Sequence, residues 1–172
     1  MDKIECKKII EALLFVSDSP ISLARMQNII VEADKPAVKD GLSELIQEYE
    51  SDGRAARIQE IAGGYQLLTR PDYTKWLERL KTTREEGKLS AAALETLSII
   101  GYKQPVIRAE IESIRGVDSS AIVRGLMEKG LVKISGRAET LGHPILYGTT
   151  DKFLELLGLA SIKDLPKPVE MK

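Results

Sequence analysis

Ile9, Ile10, Leu13 and Leu14 recur at helical spacing and predict an amphipathic helix close to the N-terminus. Ser22 is placed to cap a short second helix, about Leu23 to Val31. Pro36 is placed to open a third, which runs to about Tyr49. In that third helix Leu42, Leu45, Ile46 and Tyr49 stand at i, i+3, i+4 and i+7, the signature of one buried face. The period then shortens. RIQEIAGGYQLLTR reads as a β-hairpin, with Gly63-Gly64 supplying the positive φ of a two-residue turn. PDYTKWLERLK predicts a closing helix with Tyr73, Trp76, Leu77 and Leu80 facing inward.

The same order then returns. Ser90 caps a helix whose apolar set is Leu94, Leu97, Ile99 and Ile100, and Gln104-Pro105 ends it. RAEIESI is the second helix, RGV turns the chain, and Asp118 caps a third helix that Gly130 stops. Val132 and Ile134, then Ile145 and Tyr147, alternate with polar residues and predict a two-stranded wing around SGRAETLGHP. TTDKFLELLGL closes the unit.

Two anchors make the repeat visible. LLFVSDSPISLARM resembles SIIGYKQPVIRAEI at an offset of 85, and GYQLLTRPDY resembles HPILYGTTDKF at about 79. Three helices with a two-stranded wing make a winged helix. The expected fold is therefore α+β, mainly α, with two winged-helix domains in tandem. The N-terminal domain spans 1–83, a polar linker 84–88, the C-terminal domain 89–160 and a flexible tail 161–172.

A winged helix is the shape with which DNA readers place a helix in the major groove. The charge pattern argues against that use here. The whole chain carries 25 basic and 26 acidic side chains. The candidate recognition helix of the first half, residues 37–50, carries Lys39 against Asp40, Glu44, Glu48 and Glu50, a net of −3. Its counterpart at 118–130 sets Arg124 and Lys129 against Asp118 and Glu128, a net of zero. Specific complexes often neutralise about 6–10 phosphates. Lys133, Arg137 and His143 on the second wing allow at most weak, non-specific DNA contact. A winged-helix transcription regulator is the rival reading.

One Cys and one His cannot form a common N/S metal cage. Cys6 and His143 fall in different halves, so they do not predict a nucleophile pair. Gly63-Gly64 lacks the G-x-x-x-x-G-K-[ST] pattern of a phosphate loop. Cys6 is expected to be a partly exposed thiol and His143 a loop residue. No catalytic, cofactor or metal site is predicted, so what is left is a protein-binding role. A single cysteine and a charge-broken N-terminal segment fit a cytoplasmic protein with no membrane span.

LSAAALETLSIIGYKQPVIRAEIESIRGV, PILYGTTDKFLELLGL and IAGGYQLLTRPDYTKWLERL resemble the segregation and condensation protein B family, over roughly residues 4–160. The chain departs from the family pattern at Gly101, where alanine is expected, and at His143, where arginine is usual. The resemblance implies a homodimer formed chiefly through the N-terminal domain. It implies C-terminal domains that clasp the kleisin subunit, segregation and condensation protein A, which bridges the heads of the SMC ATPase. It also implies no ATPase activity of its own, no cofactor, and a nucleoid-associated role in chromosome condensation and partition during cell division. Candidate dimer residues on this reading are Phe15, Ile29 and Ile30. Candidate kleisin-binding residues are Leu94, Ser98, Tyr102, Arg108 and Tyr147. Tyr102 and Tyr147 also suit a core.

Overall fold

The computed structural model describes residues 1–80 and 89–167. The fold is mixed α and β, mainly helical, and divides into two compact units, Met1–Arg84 and Glu85–Lys172. The predicted linker, 84–88, lies outside the described residues, as do residues 168–172 of the predicted tail.

In the first unit two helices, the second and third, begin where the sequence offers an oxygen to a free backbone amide. α1 spans Lys3–Val16. Ser22 Oγ accepts from the Arg25 amide at the start of α2 (Leu23–Ile29), and Asp34 Oδ1 accepts from Ala37 N at the start of α3 (Lys35–Ser51). Cys6, Ile10 and Leu14 of α1 share one core with Met26, Val38, Leu42 and Leu45. Each fully buried aliphatic side chain there contributes about 1.5–3 kcal/mol relative to exposure. Cys6 is 1% exposed, not partly exposed as expected, because its Sγ sits over Gly41, where α3 has no side chain to hold α1 away.

β1 (Ala56–Ile61) and β2 (Gly64–Thr69) form the hairpin. Ile61 pairs with Gly64, so the turn is Ala62-Gly63, one residue earlier than predicted. Both turn residues have positive φ, 50° and 69°. Gly64 serves a different need. A Cβ there would lie 3.0 Å from both the Ile21 carbonyl carbon and Pro20 Cβ. The space lets Ile21 form a two-way backbone bridge with Tyr65, each bond 2.9 Å.

A 3-10 turn, Pro71–Tyr73, leads into α4 (Thr74–Leu80). Contrary to the predicted inward face, Tyr73, Trp76 and Leu80 are exposed and only Leu77 is half-buried. The apolar stripe is real, but among the described residues none of the first unit's core is packed on it.

The second unit repeats the order with one addition. α5 (Ala91–Lys103) starts with Ser90 Oγ accepting from Ala93 N. α6 (Arg108–Arg115) and α7 (Ser120–Glu128) follow, then β4 (Val132–Arg137), β5 (Ile145–Thr149) and α8 (Asp151–Leu157). The N-cap of α7 is Ser119, not Asp118. Asp118 stands one place earlier and accepts from both the amide and the hydroxyl of Ser120 through Oδ1.

The addition is β3 (Val106–Ile107), which makes a three-stranded sheet in the order β3-β5-β4. Val106 pairs with Tyr147 as Ile21 bridges Tyr65 in the first unit. That makes Tyr147 the equivalent of Tyr65, whereas the offset of about 79 read from the sequence aligns Tyr65 with Pro144.

Gln104 joins α5 to this sheet. Its Oε1 accepts from Thr149 N at 2.7 Å and Thr149 Oγ1 at 3.0 Å, while Nε2 donates to the Gly101 carbonyl. A side chain at Gly148 would collide with the Ser135 hydroxyl and press on Gln104 Oε1, so glycine keeps this crossing open. The core holds Leu97, Ile100, Val106, Ile111, Val123, Leu126 and Phe153. Leu94, placed in the apolar set from the sequence, is 49% exposed, because the core face of α5 runs through Leu97, Ile100 and Gly101.

The predicted tail starts at 161, but its first part is built into the fold. A 3-10 turn spans Ile162–Asp164, with Asp164 Oδ2 accepting from the amide and hydroxyl of Ser161. Leu165 packs against the second core. A leucine after the turn is enough apolar surface to seat the segment.

Candidate partner-binding site

The residues predicted to bind a partner fall on two surfaces of the second unit. Leu94, Ser98 and Tyr102 follow at i, i+4 and i+8 and line one exposed stripe of α5, roughly 12 Å long at 1.5 Å per residue. Ser98 Oγ donates back to the Leu94 carbonyl at 2.8 Å. Tyr102 is 44% exposed, and its hydroxyl donates to the Pro166 carbonyl at 2.6 Å.

Arg108 and Tyr147 meet elsewhere, in a groove of about 510 Å³ between α6, α7 and the β4–β5 hairpin. Val123, Met127, Ile134, Ile145 and Tyr147 supply apolar lining; Arg108, Arg124 and Glu128 supply charge. A smaller hollow of about 270 Å³ shares Arg108, Ile145 and Tyr147 and reaches Pro144. Neither hollow is lined by a residue of α5. Tyr147 is half-buried and packs on the core from β5, which leaves it in both the core and the groove. Arg108 is held by Glu112 one turn on, Nε to Oε1 3.4 Å.

The helices behind the groove are fixed by a nearly buried arginine. Arg115 donates through Nη1 to Ser119 Oγ at 2.9 Å and through Nε to Glu95 Oε2 at 3.1 Å. It ties α5, α6 and the start of α7 together. Beside it, the two bonds from Ser120 hold the Asp118 carboxyl down at about 2, below its ordinary value of 3.8.

In the first unit Phe15 is 81% exposed at the end of α1, and Ile29 is exposed at the end of α2. Ile30, also predicted for the dimer face, is 1% exposed and belongs to the core. It caps α2 outside helical geometry, and this turns its side chain inward. Val16 and Val31, not singled out from the sequence, are exposed as well, next to Phe15 and two places after Ile29. Their signal was being apolar yet off the helical stripe.

Counting charge along α3 alone overstates its acidity. Glu44 pairs with Lys3 and, at 3.7 Å, with Lys7; Glu48 pairs with Lys7; Glu50 pairs with Arg70 at 3.2 Å. The hydrogen bond to Glu48 raises Lys7, and that from Lys3 lowers Glu44. These cations are engaged by carboxylates of their own unit, so phosphate would have to compete for them.

Burial pushes the Cys6 thiol up, away from the nucleophilic form. The His143 ring Nδ1 lies 3.3 Å from the Ala138 carbonyl oxygen within the loop between β4 and β5. Among the described residues no group of three or more His, Cys, Asp or Glu could hold a metal ion. Among them, too, no helix is long and apolar enough to cross a membrane.

What these surfaces offer is apolar anchorage with polar edges, the chemistry of polypeptide capture. Residues 8–168 match the family described as segregation and condensation complex subunit ScpB. The chain belongs to that family. Segregation and condensation protein B of Syntrophotalea carbinolica is 48% identical over 166 residues, 96% of this chain and 83% of that one. The Clostridium tetani protein of the same name is 44% identical over 163 residues, 95% of this chain and 86% of that one. Among solved structures, ScpB from Mycobacterium tuberculosis is 31% identical, covers 92% of this chain and 98% of its own, and aligns with a TM-score of 0.45. A dimer of an ScpB N-terminal domain complexed with ScpA peptide is 28% identical, covers 44% of this chain and 94% of its own, and has a TM-score of 0.41.

Proposed function

We propose that this chain is a non-catalytic subunit of an SMC–kleisin complex that supports chromosome condensation and partition during cell division. It acts as a homodimer and binds the kleisin. The observation that carries this reading is the family match, which runs through both units from residue 8 to residue 168. In this reading each unit is a winged-helix domain. The first, 1–83, makes the dimer, with Phe15 and Ile29 in the contact. The second, 89–160, takes the kleisin, and two copies present two such surfaces. The SMC ATPase is reached through the kleisin. The protein works in the cytoplasm, on the nucleoid.

Three features of the molecule support the reading. The α3 carboxylates engage the nearby lysines and Arg70, which suits a protein contact better than a phosphate contact. The wing groove combines apolar lining with two arginines and a glutamate. The α5 stripe leaves Leu94 half in water. Apolar anchors would give affinity and the charged edges register.

Calorimetry with a purified kleisin fragment tests the proposal. Arg108→Glu and Tyr147→Ala should each weaken binding by about 1–3 kcal/mol, as loss of a charged or aromatic anchor does. Full affinity in both variants would remove the groove from the interface. A transcription regulator would instead bind one duplex tightly, with an affinity that falls steeply with salt.

A further inference from the structure

The stripe on α5 does not end in open solvent. At its C-terminal end Leu165 and Pro166 of the chain's own segment Ser161–Lys167 lie against Gly101 and Tyr102. Tyr102 donates its hydroxyl proton to the Pro166 carbonyl. A Cβ at the neighbouring Gly101 would come 3.1 Å from Phe153 Cζ and 3.7 Å from Leu165 Cδ1. The missing side chain at Gly101 thus leaves a shallow seat walled by Phe153, and Leu165 lies in it. The segment is pre-shaped for this. Asp164 closes the turn onto Ser161, and the Leu165 amide donates to the Ile162 carbonyl. Residues 161–167 also fall inside the span matched by the family, so the segment is part of the shared domain.

We propose that this seat at the end of α5 is a docking site for an extended, leucine-bearing segment of the partner subunit, and that residues 161–167 occupy it in cis until the partner displaces them. The proposal rests on the reading of α5 as partner surface given above. The cis occupant shows what the seat accepts: a leucine over Gly101, followed by a backbone carbonyl placed to accept from Tyr102. A proline in the position of Pro166 suits the incoming segment, because it holds the chain extended and needs no amide partner.

A site held closed by its own chain binds more weakly than the bare site, by the fraction of molecules that are open. Leu165→Asp opens the seat without touching α5. With the full chain and a purified kleisin fragment in the calorimeter, Leu165→Asp should tighten binding roughly threefold or more. Equal or weaker binding by Leu165→Asp overturns the competition while leaving the partner reading intact. Binding by neither form overturns both. A second measurement covers the case in which the variant perturbs the fold. In the unmodified chain, hydrogen exchange at Asp164 and Leu165 should speed up when the fragment saturates the protein. Unchanged or slower exchange there sinks the displacement.

Discussion

Arg115 is a side chain whose loss the second unit should feel. It is nearly buried, and its two donated bonds end on different helices. Arg115→Met keeps the length but leaves the buried Ser119 hydroxyl short of a donor. The expected cost is about 1–3 kcal/mol, read as a lower urea midpoint at unchanged slope. Asp118 makes a second prediction at this scale. Its carboxyl is depressed in the folded state, so the charged form carries the stabilisation. That stabilisation is present above the ordinary value of 3.8 and is lost as pH falls through about 2. Between those values the unmodified chain should lose more stability than Asp118→Ala, as followed by circular dichroism. Equal acid limbs would show the pairing with Ser120 to be idle. Reading single residues from the sequence had mixed success for a physical reason. Ile29 and Ile30 are neighbours of one type, and only the end of α2 between them sends one out and the other in. Adjacent glycines hid two jobs, one a turn and one a close approach of Ile21.

Among the elements, the crossing of α5 and β5 depends on Gln104. Its oxygen accepts the Thr149 amide and hydroxyl, so Gln104→Leu should destabilise the second unit by about 1–3 kcal/mol. Ser135 and Gly148 pack at the same crossing, and Gly148→Ala should cost a similar amount by forcing Ser135 aside. Thermal melts of the two variants check both. Elements of this size were largely legible in the sequence. Capping residues and period changes placed the helices and both hairpins to within a few residues. What stayed hidden was pairing between distant segments. β3 has two residues, too few for any periodic signal, and the Ile21–Tyr65 bridge has one on each side. The closing helix α4 failed differently. Its stripe of Tyr73, Trp76 and Leu80 marks a face that seeks cover, and no pattern states what provides it.

For the molecule as a whole, the contrast between Phe15 and Ile30 separates assembly from folding. Phe15→Asp should leave the melting curve alone and shift the light-scattering mass at about 10 μM toward the monomer, since a buried Phe is worth about 1.5–3 kcal/mol. Ile30→Asp should unfold the first unit, because it places a charge in the core without a partner. A Phe15→Asp protein that still weighs as a dimer would move the contact elsewhere. The repeated plan and the lack of a basic stripe could be read from residues alone, and they favour a polypeptide over DNA as the proposed partner. The surfaces could be read only in part, since exposure depends on which face each helix turns to its own core.

The lone cysteine has a practical consequence. Cys6 sits sealed against Gly41 and carries the only thiol in the sequence. Lifting of α1 from α3 should therefore speed its alkylation. The labelling rate is thus a built-in clock for the opening of the first unit, available without adding a probe.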